Sequence, residues 1–230
     1  MTKVILGDGL DEIGVAAFRE CTSLHEILIP RAIKVIKDHT FSKCLQLTTV
    51  ILGEGLEEIG MQAFTECTSL HEISIPHDVK SIKDRAFAYC SELMTVILGE
   101  GLEGIGKNAF RECTSLNEIS IPRAVKAIND EAFSECSQLM NVILGEGLAE
   151  IGDTAFAQCA SLDEISIPNA VKVIKDSTFY GCLQLTTANL GKGLKEIGEE
   201  VFSNCTLLHE ISIPPAVKGI KDRAFLRCRS

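Results

Sequence analysis

The 230-residue chain has no tryptophan and only two tyrosines, so the flat aromatic platforms that hold sugars are missing and a carbohydrate-binding surface is disfavoured. No run approaches 18 consecutive apolar residues, which leaves no candidate for a membrane-spanning helix and no expectation of membrane insertion. The net charge is −10 and the basic residues form no stripe, so the phosphate backbone of a nucleic acid has nothing to bind. No two of the ten cysteines stand closer than 23 residues, whereas zinc ligands come in pairs a few residues apart; no metal and no cofactor is expected. The basic start and apolar core of a secretion signal are also missing. That reads as cytoplasmic for a full-length chain, and as cell surface or secreted for a piece of a longer exported protein.

What the chain does contain is one pattern repeated. Residues 47–69 read LTTVILGEGLEEIGMQAFTECTS, with apolar positions at Leu47, Val50, Leu52, Leu56, Ile59, Ala63, Phe64 and Cys67. The same skeleton returns 23 residues later at Leu70, Ile73, Ile75, Val79, Ile82, Ala86, Phe87 and Cys90. All ten phenylalanines, Phe18 to Phe225, fall on this grid, and each is followed three places later by a cysteine. A period this strict predicts a solenoid in which each unit contacts its neighbours, with residues 1–230 forming a single array of ten 23-residue units.

Odd and even units differ, so the true period is 46 and the array is five pairs. Odd units carry Gly-x-Gly-Leu and Ile-Gly; even units carry Ile-Pro and Val-Lys. Charge follows the same division, −11 on the odd units and +1 on the even ones, which together return the net −10.

Within a unit, the alternation at His71–Ile75 predicts a half-buried strand, ended by Pro76 or, in odd units, by a glycine such as Gly53. A second short extended piece carries Val79 and Ile82. Phe87 and Cys90 are three apart, which predicts a single helical turn, with an aspartate as its cap at Asp38, Asp84, Asp130, Asp176 and Asp222. Stacked cysteines point the same way, which suits a disulfide poorly, so the column is expected to be a buried ladder of free thiols. Ten turns at the sheet spacing predict a rod about 48 Å long.

The pattern Leu-x-x-Ile-x-Ile-Pro-x-x-Val-x-x-Ile-x-x-x-Ala-Phe-x-x-Cys, read in residues 70–90, resembles the BspA-like class of leucine-rich repeats across all ten units. The resemblance implies an α/β-type, right-handed solenoid of ten 23-residue turns. Its parallel β-sheet would line the concave face, with short second strands and single helical turns on the convex side. It also implies the uses such proteins have on bacterial and protist surfaces, adhesion and recognition.

Catalysis needs an asymmetric cluster, and a repeat supplies columns. Gly99 to Gly104 matches GxGxxG in form only: other units read GEGLEE or GEGLAE there, and no long helix follows to receive a phosphate. Residues that break the grid, such as His39, His77, Tyr89, Tyr180, Asn189 and Pro215, occupy different grid positions and do not form a triad on paper. His25, His71 and His209 share one position at a sheet margin. No enzyme is expected.

The expected binding site is the outward column of the first strands: Ile5, Leu28, Ile51, Ser74, Ile97, Ser120 and Ile143. A second column contributes Glu26, Glu72 and Glu118, with Met94 and Met140 alongside. Exposed isoleucine on alternate turns is an unusual use of solvent-facing surface; the plainer reading is β-branched residues packing on each other along a sheet. The expectation is a non-enzymatic recognition scaffold for an unidentified protein partner. The alternative is a structural or self-associating module, excised or engineered, with no dedicated ligand. Self-association would run end to end, because the even number of units preserves the alternation and neither Met1 nor the last unit carries a polar cap. Arg223, Arg227 and Arg229 would oppose it.

Overall fold

The computed structural model describes residues 2–228; Met1 and Arg229, which bear on the expected end surfaces, lie outside the described residues. The alternating runs form short parallel strands, two per coil. Coil two holds β1 (Glu26–Leu28) and β2 (Val35–Ile36); coil three, β3 (Thr49–Ile51) and β4 (Glu58–Ile59); coil four, β5 (Glu72–Ser74) and β6 (Ser81–Ile82). Next come β7 (Thr95–Ile97) and β8 (Gly104–Ile105), β9 (Glu118–Ser120) and β10 (Ala127–Ile128), then β11 (Asn141–Ile143) and β12 (Glu150–Ile151). The series ends with β13 (Glu164–Ser166) and β14 (Val173–Ile174), β15 (Thr187–Asn189) and β16 (Glu196–Ile197), and β17 (Gly219–Ile220).

Every pairing is parallel and joins one coil to the next at a shift of 23, as in Glu26↔Thr49, Ile27↔Val50 and Leu28↔Ile51. The three-residue strands make a two-stranded sheet, β1–β3, and a six-stranded one, β5 to β15. The two-residue strands make a six-stranded sheet, β2 to β12, and a three-stranded one, β14–β16–β17. The architecture is a parallel β-solenoid of stacked coils.

Two expectations need correction. Eight coils, not ten, carry both strands, because an end coil has a neighbour on one side only. Coil one contributes the bridge Lys3↔Glu26, and coil ten the bridge Thr187↔Glu210 and β17. The second correction is the helical turn: there is no helix among the described residues, so the α/β assignment fails.

The Ala-Phe-x-x-Cys segment is instead a string of tight turns with alternating hydrogen bonds. In coil three the N–H groups of Ala63, Thr65 and Cys67 close local turns onto Gly60, Gln62 and Phe64. Those of Gln62, Phe64 and Glu66 donate to Asp84, Ala86 and Ala88 of the following coil, at 3.0, 2.7 and 2.9 Å. A helix would hold all six bonds within its own segment. The alternation needs two left-handed residues per coil, four apart, such as Gln62 (φ 54°) and Glu66 (φ 58°); among the described residues only Gly181 is a glycine at these places. Each non-glycine there costs about 1–2 kcal/mol, offset by the bonds to the next coil.

The residues read as caps also act between coils. Oδ1 of Asp38 accepts from the N–H of Met61 at 2.8 Å, and Oδ1 of Asp84 from that of Lys107 at 2.8 Å. Odd coils in turn need glycine where they meet an even coil's turn: a Cβ on Gly101 would lie 2.0 Å from the His77 carbonyl oxygen. This contact accounts for glycine at that place in the odd coils.

The interior is one apolar column from Ile13 to Ala224. Its spine is the phenylalanine stack, with neighbouring ring centroids 5.2–5.7 Å apart and planes within 11° of parallel. The cysteines are free thiols, eight buried and Cys21 and Cys228 half-buried. Each from Cys44 onward donates its S–H to a phenylalanine carbonyl of the coil before, as Cys113 does to Phe87 at 3.2 Å. Burial pushes Cys90 and Cys136 up to about 12.

Two outcomes follow from these turns and thiols. Gln62→Gly removes a left-handed Cβ, and the relief exceeds the extra chain entropy of glycine; the unfolding free energy should rise by about 0.5 kcal/mol, seen as a higher urea midpoint. The thiols titrate in the unfolded chain near 9 but stay protonated in the fold until about 12. Their contribution is therefore complete below pH 9 and is lost as pH rises towards 12. A Cys90→Ala/Cys136→Ala double variant should show a shallower alkaline fall in urea midpoint than the parent.

Candidate binding face

The parallel register decides which side chains share a face. In β5 and β7, Glu72 lies opposite Thr95 and Ser74 opposite Ile97; in β9 and β11, Glu118 lies opposite Asn141 and Ser120 opposite Ile143. In each of these strands the middle residue is buried and the outer two are exposed. All twelve residues expected at the site are thus exposed: Ile5, Leu28, Ile51, Ser74, Ile97, Ser120 and Ile143, with Glu26, Glu72 and Glu118, and Met94 and Met140 just before their strands.

Their packing separates the column into two parts. Ile5, Leu28 and Ile51 occupy successive coils, so apolar chains there adjoin one another, as the plainer reading holds. From coil four onward serine alternates with isoleucine. Ile97 therefore stands between Ser74 and Ser120 with 60% of its surface in water, and Ile143 with 57%. These two lack an apolar equivalent one coil away, although Leu28 and Ile51, which have one, are nearly as exposed at 52% and 55%.

Pits open between the isoleucine ridges, two of them over a serine and one over Leu28. One of ≈ 430 Å³ is lined by Ile51, Glu72, Ser74, Pro76 and Ile97. A second of ≈ 230 Å³ is lined by Ile97, Glu118, Ser120, Asn141 and Ile143. A third of ≈ 350 Å³ lies over Leu28, between Ile5 and Ile51. Pro76 and Glu54, which also borders the first pit, were not singled out from sequence. They belong to the turns after the strands, and only the stacking shows that those turns lean over the column.

Each pit has a strand glutamate at its rim, Glu26, Glu72 or Glu118, and Glu54 adds a second carboxylate to the first pit. Glu26 is paired with Lys3. Glu72 and Glu118 have no cation within ion-pair distance among the described residues. The groups with perturbed titration lie elsewhere: a 2.8 Å hydrogen bond on the turn side holds Lys107 above and Asp130 below their usual ranges.

Two residues that break the grid at different positions do come together. Asn189 and Pro215 line a groove of ≈ 590 Å³ at coils nine and ten, with His209, Lys192 and Glu210 beside them. There the isoleucine column has ended, and the Asn189 amide donates to Oγ of Ser166 at 3.2 Å. Two of the three histidines at the sheet margin have local partners: His71 lies 3.4 Å from Glu92, and Nδ1 of His25 lies 2.8 Å from the Ser23 carbonyl. No group of three or more metal-ligating side chains occurs among the described residues. No helix there is long and apolar enough to cross a membrane.

The family model for the BspA type leucine-rich repeat region matches residues 1–117 and 103–230. A leucine-rich repeat protein from Bacteroides ovatus is 28% identical over 99% of this chain and 76% of its own, with a TM-score of 0.66. A leucine rich cell surface protein from Faecalibacterium prausnitzii is 27% identical over 96% of this chain and 79% of its own, with a TM-score of 0.49. The corresponding values for a T. pallidum leucine-rich repeat protein are 27%, 91%, 78% and 0.47. No curated protein matches the sequence.

Proposed function

The chain belongs to the BspA-type leucine-rich repeat family, and we propose that it is a non-enzymatic recognition scaffold whose three-residue strands bind a protein partner. The observation that carries this reading is the exposure of Ile97 and Ile143, flanked by serine and unsupported by apolar neighbours on the sheet. Water-facing isoleucine in that setting contributes nothing to the core, and burying it against a partner is favourable by about 25 cal/mol per Å². The side chains are held by strands locked on both sides, so little entropy is lost in ordering them. The family resemblance would place this sheet on the inner curve of the solenoid, where a partner meets several coils at once.

The test compares the chain with its Ile51→Glu/Ile97→Glu/Ile143→Glu variant, each immobilised and exposed to the same extracellular and membrane protein fractions. Retained polypeptides are quantified by mass spectrometry. Specific partners should fall by at least about tenfold, the effect of losing central apolar anchors. An unchanged set of retained proteins, from a variant with the parent's circular dichroism, rules the reading out.

A further inference from the structure

The pits recur at a spacing that selects a ligand conformation. We propose that this face binds an extended peptide in the polyproline II conformation, with an apolar side chain at every third position and a lysine or arginine beside it. The inference rests on the recognition reading above and names its partner class.

The first warrant is periodicity. Pits open over Leu28, Ser74 and Ser120, two coils apart. With neighbouring strands about 4.7–4.9 Å apart, the pits repeat every 9.4–9.8 Å or so. A polyproline II helix has three residues per turn and a rise of about 3.1 Å, so its equivalent side chains recur every 9.3 Å or so. A ligand lying across the strands, along the stack, would stay within about 1 Å of register over three pits. An extended β-strand presents same-face side chains about every 6.7 Å and is out of phase by the second pit. An α-helix offers its i and i+7 positions about 10.5 Å apart, and its width of about 10 Å keeps its backbone clear of pits this narrow.

Charge is the second warrant. Glu72 and Glu118 stand on the pit rims, exposed and without a cation in reach among the described residues. Carboxylates repeating with the pits complement a cation repeating with the apolar side chain. In a three-residue turn, one position enters the pit, one meets the glutamate and one faces solvent. Proline suits the last position, because such a ligand makes no hydrogen bonds within itself and is already extended before it binds.

Ser74 and Ser120 are exposed at the ends of strands whose middle residue alone is buried. Leucine would not close these pits, because one of ≈ 350 Å³ remains over Leu28. Ser74→Trp/Ser120→Trp instead places an indole in each of two pits and leaves the buried positions unchanged. The probe is the fluorescein-labelled peptide (Pro-Leu-Lys)4, read by fluorescence anisotropy against a peptide of equal composition in which leucines are never three apart.

The repeat peptide should bind at least about tenfold more tightly than the permuted one, and Ser74→Trp/Ser120→Trp should remove that difference. Glu72→Gln/Glu118→Gln should weaken binding and reduce its dependence on salt. Equal binding of the two peptides overturns the proposal, as does undiminished binding to the filled-pit variant when its urea midpoint matches the parent's. If neither peptide binds but the triple isoleucine-to-glutamate variant still loses its partners, the recognition reading stands and this inference falls. If that variant also retains its partners, both fall.

Discussion

The hydrogen bonds that run from one coil to the next are what the rest of the structure depends on. A coil of 23 residues is too short to enclose a core of its own, and its strands are two or three residues long. Each becomes stable only when its N–H and C=O groups meet those of the neighbouring coils. The corner at Phe64 shows how far this goes: alternate N–H groups leave the segment for the next coil, at the cost of left-handed residues at Gln62 and Glu66. The thiol of Cys67 adds a bond to the carbonyl of Phe41 in the coil before. Phenylalanine and cysteine recur together because the ring fills the column while the thiol satisfies a backbone acceptor that the turns leave half-used.

That dependence has a consequence for the surface. Buried positions vary little, with Thr40, Thr178 and Val201 standing where other coils bury an alanine such as Ala63; most variation lies at outward places, where a residue is seen by solvent and by its equivalents one coil away. Alternation of isoleucine with serine, and of threonine or asparagine with glutamate, then becomes relief: ridges, pits and charges in a fixed order. A rigid sheet carries this order without a loop having to fold on binding. The groove at coils nine and ten, lined by Asn189 and Pro215, marks where the ordered relief stops.

Much of this was legible before any coordinates. The inward residues, the parallel pairing at a shift of 23, the free thiols and the exposed column all follow from placing equivalent positions over one another. The helical turn was misread for a physical reason. Phe-x-x-Cys spacing fits one face of a helix, but it equally fits two consecutive tight turns, and the choice rests on where alternate N–H groups find acceptors. Those acceptors belong to the next coil, so no reading confined to one unit finds them. The aspartates were misread in the same way: Asp38 does cap an N–H, but that of Met61, 23 residues on.

The period, the identity of the core, the register between coils and the outward columns are readable from the residues alone, because strict repetition makes each unit's neighbours copies of itself. What happens between coils emerges only from the folded array. It showed the left-handed turns in place of a helix and eight coils with both strands in place of ten. It also showed why odd units need glycine against the turns of even ones, and that serine opposite isoleucine leaves pits bordered by Pro76 and Glu72. Periodicity states which residues stack, but depth and close approach depend on the shapes of two different coils in contact, and those shapes exist only once the coils are folded against each other.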